Sequence, residues 1–482
     1  MRSGRQGKAT IASCVSNLAN TIIGSGALAF PSVFASMGLI PAFFSCIFAG
    51  ACSAFGLYLL SLCARQGYEK PEASFNQIAR LTFGEGWATR CFDAAIAIKC
   101  FGVSVSYLII VKTLMPQVIL SLSHHLPSET LPEDSMWLDG RLWLLFSLVI
   151  VGPLSYLRRM DSLRFTSQIA LLSVVYLVII VVGWWALGVP TGKKRGNVVL
   201  GRFGSSTLGS FPIQIFAYTC AQNIFACFNE LKFNTQARMN KVITVSIGSA
   251  AITYEVLGIV GYLTFGQGVS SNVIAMYPWS SVIIAIGRLG IVLLSALSYP
   301  LQAHPCRACI HTLTAGLRKK SQSPDDSVTA ADDTDEEDEL MNEDKDDHGL
   351  PVGKPMGRKK FLTITTGIIV FGFAIAMVID ELETVLSFVG STGSTIISFI
   401  LPGMFYFSLF RHEQGITKWM ALILSIYGIV VMAFWYVFTT AFESSFESGS
   451  RTESLFLFLV CLSISTDWLI IKSSSIRFRD AL

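Results

Sequence analysis

Between Ile11 and Gly38 the chain carries an apolar run long enough to cross a bilayer, and near its centre stand Gly24, Ser25 and Gly26. Hydrocarbon offers no hydrogen bonds, so a spanning helix can break at mid-membrane only where the freed backbone groups line a cavity or are buried in protein. Transporters use such broken helices to hold a substrate at the membrane midplane. This run therefore points to a polytopic membrane fold with an internal polar site.

Composition agrees: 52% of residues are hydrophobic, 14% are charged and the mean hydropathy is +0.56, where soluble domains carry about a quarter charged residues. Apolar windows of spanning length predict helices over 11–36, 39–63, 88–121, 141–157, 166–188, 208–231, 240–265, 279–304, 360–379, 383–409 and 416–440. A weaker twelfth window, 454–472, is diluted by Ser463, Ser465 and Asp467. Met1 to Lys8 is polar and basic and no small-residue cleavage site follows, so the first span is expected to stay and act as its own signal. The 11 cysteines lie mostly in apolar runs and do not form the framework of a small secreted domain.

The charges give a direction. With the N-terminus in the cytosol and the spans alternating, 27 of the 36 Lys and Arg fall on the cytosolic side, and five on the other. The cluster from Lys193 to Arg202 is the exception. Residues 321–350 hold 13 acidic residues and one lysine. They lie in a polar stretch, 307–359, expected to be a disordered cytosolic loop. Within it Glu336 to Met341 loosely resembles an acidic dileucine sorting signal with Met in the last place, which adds trafficking adaptors to the partners to consider.

Five spans is an odd number, so spans 6–10 run opposite to spans 1–5, as an inverted-repeat transporter requires. The transporter domain is expected over 1–440, with one repeat at about 11–188 and the second at about 208–409, and an extension over 441–482. Span 6, the partner of span 1, carries Tyr218, Thr219 and Cys220 near mid-depth but no central glycine pair.

The wording of several segments resembles a known family. Asn17, Asn20, Thr21, Gly24, Gly26, Leu28 and Pro31 match the first-span signature of the amino acid/auxin permease family, within the amino acid–polyamine–organocation superfamily. Lys99 to Tyr107, Gly261 to Gly266, Ser298 to Arg307 and Gly390 to Tyr406 match further stretches in the same order. The wording is closest to fungal vacuolar amino-acid transporters and is also similar to sodium-coupled neutral amino-acid transporters. The resemblance implies an all-α polytopic protein of the five-plus-five inverted-repeat, LeuT-like fold, with 11 spans, and secondary active transport of amino acids. It places the protein in a vacuolar or lysosomal membrane, with the plasma membrane as the alternative. It also suggests how sodium would be held: by span 1 carbonyls and a hydroxyl from span 8, here Ser295 or Ser298. The flanking residues follow the vacuolar branch, which favours protons.

The backbone N–H groups around Gly24, Ser25 and Gly26, at the start of the second half-helix, suit a substrate carboxylate. Carbonyls near Asn20 and Thr21, and near Tyr218 and Thr219, suit its ammonium. Phe216 and Tyr218 are candidate gates at the pocket, and Glu230 is one at the cytosolic end of span 6. Lys99, Glu255 and Arg288 are ionisable residues deep in spans 3, 7 and 8, where charges are costly and usually paired or functional. Glu255 and Arg288 share a depth and are expected to pair; all three are candidates for ion coupling. His304, Cys306, Cys309 and His311 have the residue types of a zinc site, but their spacing is too tight for a usual four-ligand one, so no metal, and no other cofactor, is expected. No P-loop or nucleophile elbow suggests an enzyme, and nothing suggests a nucleic-acid partner. The competing reading is a nutrient sensor with transporter architecture that signals through the acidic loop.

Overall fold

The computed structural model describes residues 9–66, 73, 75–84, 87–125, 135–157, 164–188, 196–202, 204–321 and 356–443. The acidic block, the sorting-like segment and the 454–472 window lie outside the described residues. All contacts given below fall within Met1–Trp435.

Span 1 is two helices. Thr10 caps α1 (Ile11–Ile22), its hydroxyl oxygen accepting the Ser13 N–H. A 3-10 turn, Ser25–Ala29, leads into α2 (Phe30–Met37), which has Pro31 in its first turn, where the missing N–H costs nothing. Gly38 ends α2 at φ 84°, a conformation that favours glycine. The long helix α3 (Leu39–Gln66) and the short α4 (Phe75–Phe83) follow, then α5 (Trp87–His125), α6 (Gly140–Ser155) and α7 (Arg164–Ala186). Span 6 is again split, into α8 (Ser205–Ala217) and α9 (Ile224–Glu230). After it come α10 (Gln236–Phe265), α11 (Val282–Ser321), α12 (Arg358–Val378), α13 (Leu382–Val389), α14 (Leu401–Leu409) and α15 (Ile416–Glu443). Among the described residues seven helices are long and apolar enough to span a membrane, or up to eight with the bent pair of span 1. The helices α6 and α7 contribute shorter apolar stretches.

Burial sorts the helices into an inner and an outer set. The apolar window of α5 is 83% buried and that of α15 only 28%. On α12 and α15, Phe371, Val378, Ile423 and Val430 are exposed, an apolar surface suited to hydrocarbon. The centre is built on α5 packed along α11.

Three features depart from the sequence-based expectation. The polar stretch begins later than 307, because α11 continues to Ser321. Arg307 is buried on it, donating to Ser155 O and Thr365 Oγ1 at 3.1 Å, with its guanidinium 4.1 Å from the Phe361 ring. A carbonyl, a hydroxyl and an aromatic face thus replace water around a charge that looked like the start of a loop. The helix α4 falls between two expected spans. Span 10 is not a plain helix: Gly390–Ser394 and Ile396–Ile400 are π-helical, with Thr395 Oγ1 donating to Gly390 O at 2.6 Å. This widened segment lies flush against α5, where a Cβ on Gly393 would stand 2.8 Å from Ala95 O and 2.9 Å from Lys99 Cβ.

Candidate substrate site

In span 1, Gly24 is neither helical nor extended, with φ −128° and ψ −139°, and the helices either side of the break diverge by 49°. The first bond of the new turn runs from Ala27 N to Gly24 O at 3.1 Å. The N–H groups of Ser25 and Gly26 precede it, so they are the orphan donors of a helix start. Glycine is needed here for closeness: a Cβ on Gly26 would lie 2.8 Å from Ala217 Cβ, and one on Gly24 3.3 Å from Tyr107 Oη.

Span 6 breaks without glycine. Its main chain leaves the helix at Tyr218, and Cys220 takes φ −137° and ψ 11° before the 3-10 turn Ala221–Asn223. Side chains supply what the backbone loses. Thr219 Oγ1 donates to Ile215 O at 2.6 Å, and Ser53 Oγ donates to Tyr218 O at 3.0 Å.

The two breaks are fastened together. Asn223 Nδ2 donates to Thr21 Oγ1 at 2.6 Å, and Thr21 Oγ1 donates to Asn17 O at 3.0 Å. The Tyr254 hydroxyl, from α10, stands 2.7 Å from Ile22 O and 3.0 Å from Ala217 O, the carbonyls at the ends of α1 and α8. Its ring stacks on Phe30 at 4.2 Å and meets the edge of Tyr218 at 5.1 Å.

Between the breaks and α5 lies a small cavity of about 10 Å³. That is room for about one water molecule, far less than an amino acid needs, so the site is collapsed around its lining residues. Thr21, Ile22 and the Gly24-Ser25-Gly26 turn form one wall, and Phe216 and Thr219 another. Lys99, Val103 and Tyr107 line it from α5, and Gln302 from α11. Ser25 Oγ meets Ser106 Oγ at 3.1 Å beside it. Lys99 is 2% exposed, and no acidic residue is among those lining the cavity. A buried amine and the positive end of a helix therefore face the same space, an arrangement that suits a carboxylate arriving with a proton for the amine. Gln302 brings a buried amide oxygen without a hydrogen-bond partner, which suits an ammonium.

Of the residues expected at the site, Thr21, Gly24, Ser25, Gly26, Thr219, Phe216 and Lys99 line this cavity. Asn20 and Tyr218 do not. Asn20 is half-buried on α1, and Tyr218 is fully buried behind the break, its hydroxyl 3.2 Å from Cys46 Sγ. Ser295 turns to its own helix, donating to Ile291 O at 2.9 Å, while Ser298 faces the Tyr107 hydroxyl. At the end of α9, Glu230 O accepts the Ala9 N–H at 2.9 Å, and Lys232 N donates to Ala9 O at 2.9 Å. Just inside, Cys14 Sγ and Cys227 Sγ each approach the other residue's carbonyl, at 3.9 and 4.0 Å. The outer ends of α1 and α9 are thereby zipped together.

Glu255 and Arg288 do not pair. Arg288 donates to Ile274 O and Tyr277 O, at 3.3 and 2.6 Å, and so anchors the 3-10 turn Val273–Met276. Both Glu255 carboxylate oxygens are buried without a hydrogen bond, beside the Cys46 thiol. Equal depth does not bring two residues together, because their helices turn those positions toward different neighbours.

Tyr107, Val103, Gln302 and Tyr254 were not expected at the site. The first two were within reach: Lys99, Val103 and Tyr107 are four residues apart in sequence, which on a helix is one face.

Residues 7–443 match the family described as transmembrane amino acid transporter protein. Vacuolar amino acid transporter 5 of Schizosaccharomyces pombe is 38% identical over 437 residues, covering 88% of this chain and 93% of that protein. Vacuolar amino acid transporter 6 of Saccharomyces cerevisiae is 35% identical over 457 residues, covering 88% and 97%. Sodium-coupled neutral amino acid symporter 2 of Danio rerio is 25% identical over 457 residues, covering 88% and 81%. Among solved structures, MhsT in complex with L-phenylalanine superposes with a TM-score of 0.52 at 11% identity, covering 90% of this chain and 100% of that one. That likeness is one of fold, and it matches the LeuT-like architecture expected above. With the family match running from before α1 to the end of α15, the chain belongs to the transmembrane amino acid transporter family.

Proposed function

We propose that this protein carries amino acids across a vacuolar or lysosomal membrane by alternating access around the breaks of spans 1 and 6, with protons as the coupling ion and the N-terminus in the cytosol. The observation that carries the reading is the cavity itself, where the orphan N–H groups of Ser25 and Gly26 share one space with Lys99. The substrate carboxylate sits on those N–H groups, and its ammonium on Gln302 Oε1 and the hydroxyl oxygens of Thr21 and Thr219. The zipped ends of α1 and α9 close the cytosolic path.

Lys99 links substrate to proton. A lone buried ammonium is costly, and an arriving carboxylate offsets that cost. Substrate and proton therefore favour each other's binding, and linkage makes the effect reciprocal. Sodium coupling is the competing reading, favoured by the similarity to the Danio rerio symporter, with Ser298 as the hydroxyl.

The test is uptake of a radiolabelled amino-acid panel into proteoliposomes, with an imposed pH gradient and, separately, with sodium replaced by choline. Flux that follows the pH gradient and ignores sodium is expected. Flux that needs sodium and ignores pH overturns the coupling. No flux under either gradient overturns transport itself.

A further inference from the structure

A broken span leaves carbonyls at the end of its first half-helix with no backbone donor. Two broken spans side by side leave two such ends, and the usual occupant of that position is a cation. Here the end carbonyls are Ile22 O of α1, which keeps one backbone donor in the Gly24 N–H at 2.9 Å, and Ala217 O of α8, and both are met by one neutral group, the Tyr254 hydroxyl, at 2.7 and 3.0 Å. Tyr254 is fully buried, and its ring is fixed by the stack on Phe30 and the edge of Tyr218. Phe30 is the first residue of α2, so the same side chain grips both halves of span 1 and the first half of span 6.

We propose that Tyr254 is a positioning residue that stands where other broken-helix transporters hold a cation, tying the two breaks into one unit around the substrate. A phenol has one proton to share between two carbonyls, so it joins them without adding charge. Ile22 lines the cavity and Ala217 touches Gly26, so the tie sets the shape of the wall on which the substrate carboxylate rests. The inference rests on the transport reading and adds a role that does not depend on which ion is coupled.

Tyr254→Phe removes only the hydroxyl and keeps the ring contacts. Phe30→Leu removes the stack and keeps the hydroxyl. Both are compared with the unaltered protein in proteoliposomes, using an amino acid that it is shown to carry, in sodium, lithium and choline media. For Tyr254→Phe the KM is expected to rise on the order of tenfold, the scale of one buried hydrogen bond. Sodium or lithium, able to enter between the freed carbonyls, is expected to lower that KM relative to choline by more than it does in the unaltered protein. Phe30→Leu is expected to lose thermal stability in detergent with no gain in cation response. A Tyr254→Phe KM within twofold of the unaltered value overturns the proposal. So does a Tyr254→Phe defect that no alkali cation relieves and that Phe30→Leu reproduces, because the residue is then only structural. Absence of flux in the unaltered protein sinks the transport reading instead.

Discussion

Gly26 and Ala217 touch across the two broken spans so closely that a Cβ on Gly26 would lie 2.8 Å from Ala217 Cβ and 2.9 Å from its Cα. Both opposing atoms belong to a fixed backbone position, so no side-chain rotation can make room. Gly26→Ala is expected to cut uptake at least about tenfold by prising the breaks apart. Gly248→Ala is the control, since nothing lies within 4 Å of its added carbon. It should transport normally and gain slightly in helix stability. Equal uptake by the two variants would show that the contact has no bearing on transport.

Lys99 offers a cleaner dissection of coupling than of binding. Lys99→Met keeps the length and burial of the side chain and removes its charge. Uptake driven by the substrate gradient alone should persist at reduced affinity, while stimulation by an imposed pH gradient should disappear. Steady-state uptake across a pH series measures both. A Lys99→Met protein whose uptake still rises with the pH gradient would assign coupling to another group, with Glu255 next in line.

Lys112 caps the end of α12, donating to the carbonyls of Ala376, Met377 and Ile379 at 2.8, 3.3 and 3.3 Å, and pairing with Asp380 at 2.6 Å. Asp380 is 76% exposed, so the ion pair itself is worth little, typically about 0–1 kcal/mol. The carbonyl bonds are charge-assisted, one buried and two part-buried, and together outweigh the ion pair, at about 1.5–3 kcal/mol for the buried one when lost. Lys112→Met should therefore lower the melting temperature of the purified protein far more than Asp380→Asn. Equal shifts would mean that the ion pair, not the cap, matters.

Cys14 and Cys227 are 2% and 1% exposed, each with its thiol against the other's backbone. They join the half-helices whose separation, on the proposed alternating-access cycle, would open the path on the side of the N-terminus. Copper-phenanthroline oxidation during turnover should form a disulfide between them and stop uptake, with dithiothreitol restoring it. Cys14→Ser should be insensitive. Peptide mapping by mass spectrometry identifies the bond, and full activity with the bond formed would place the moving surfaces elsewhere.

The sequence makes the break of span 1 plain because glycines interrupt an otherwise apolar run, and broken backbone in hydrocarbon needs a reason. Span 6 is harder to read, since no glycine marks its break and the hydroxyls of Thr219 and Ser53 bond the carbonyls around it. Lys99 stands out as a charge in an apolar span, and helical spacing from it leads to Val103 and Tyr107. Tyr254 gives no local signal at all: its partner Ile22 is 232 residues away, and an aromatic in a span looks like packing. The expected Glu255–Arg288 pair fails for a related reason. Hydropathy fixes how deep a residue lies, whereas a partner depends on which way its helix is rotated. The π-helical turns of span 10 accompany the close passage of Gly393 over α5, which no pattern within span 10 announces.

Ala9, two residues ahead of α1, also has a part to play. Ala9 is stitched on both sides of its peptide to the strand-like end of α9, through Glu230 O and Lys232 N. Two backbone bonds and the thiol contacts behind them must be peeled apart before that end can open. On the proposed alternating-access cycle, the bonds of Ala9 would weight the resting equilibrium toward the shut form, with the leader ahead of it as their handle. Whatever grips or tugs that leader, a fused tag as much as a binding protein, would reset how often the door stands ajar without touching the room behind it.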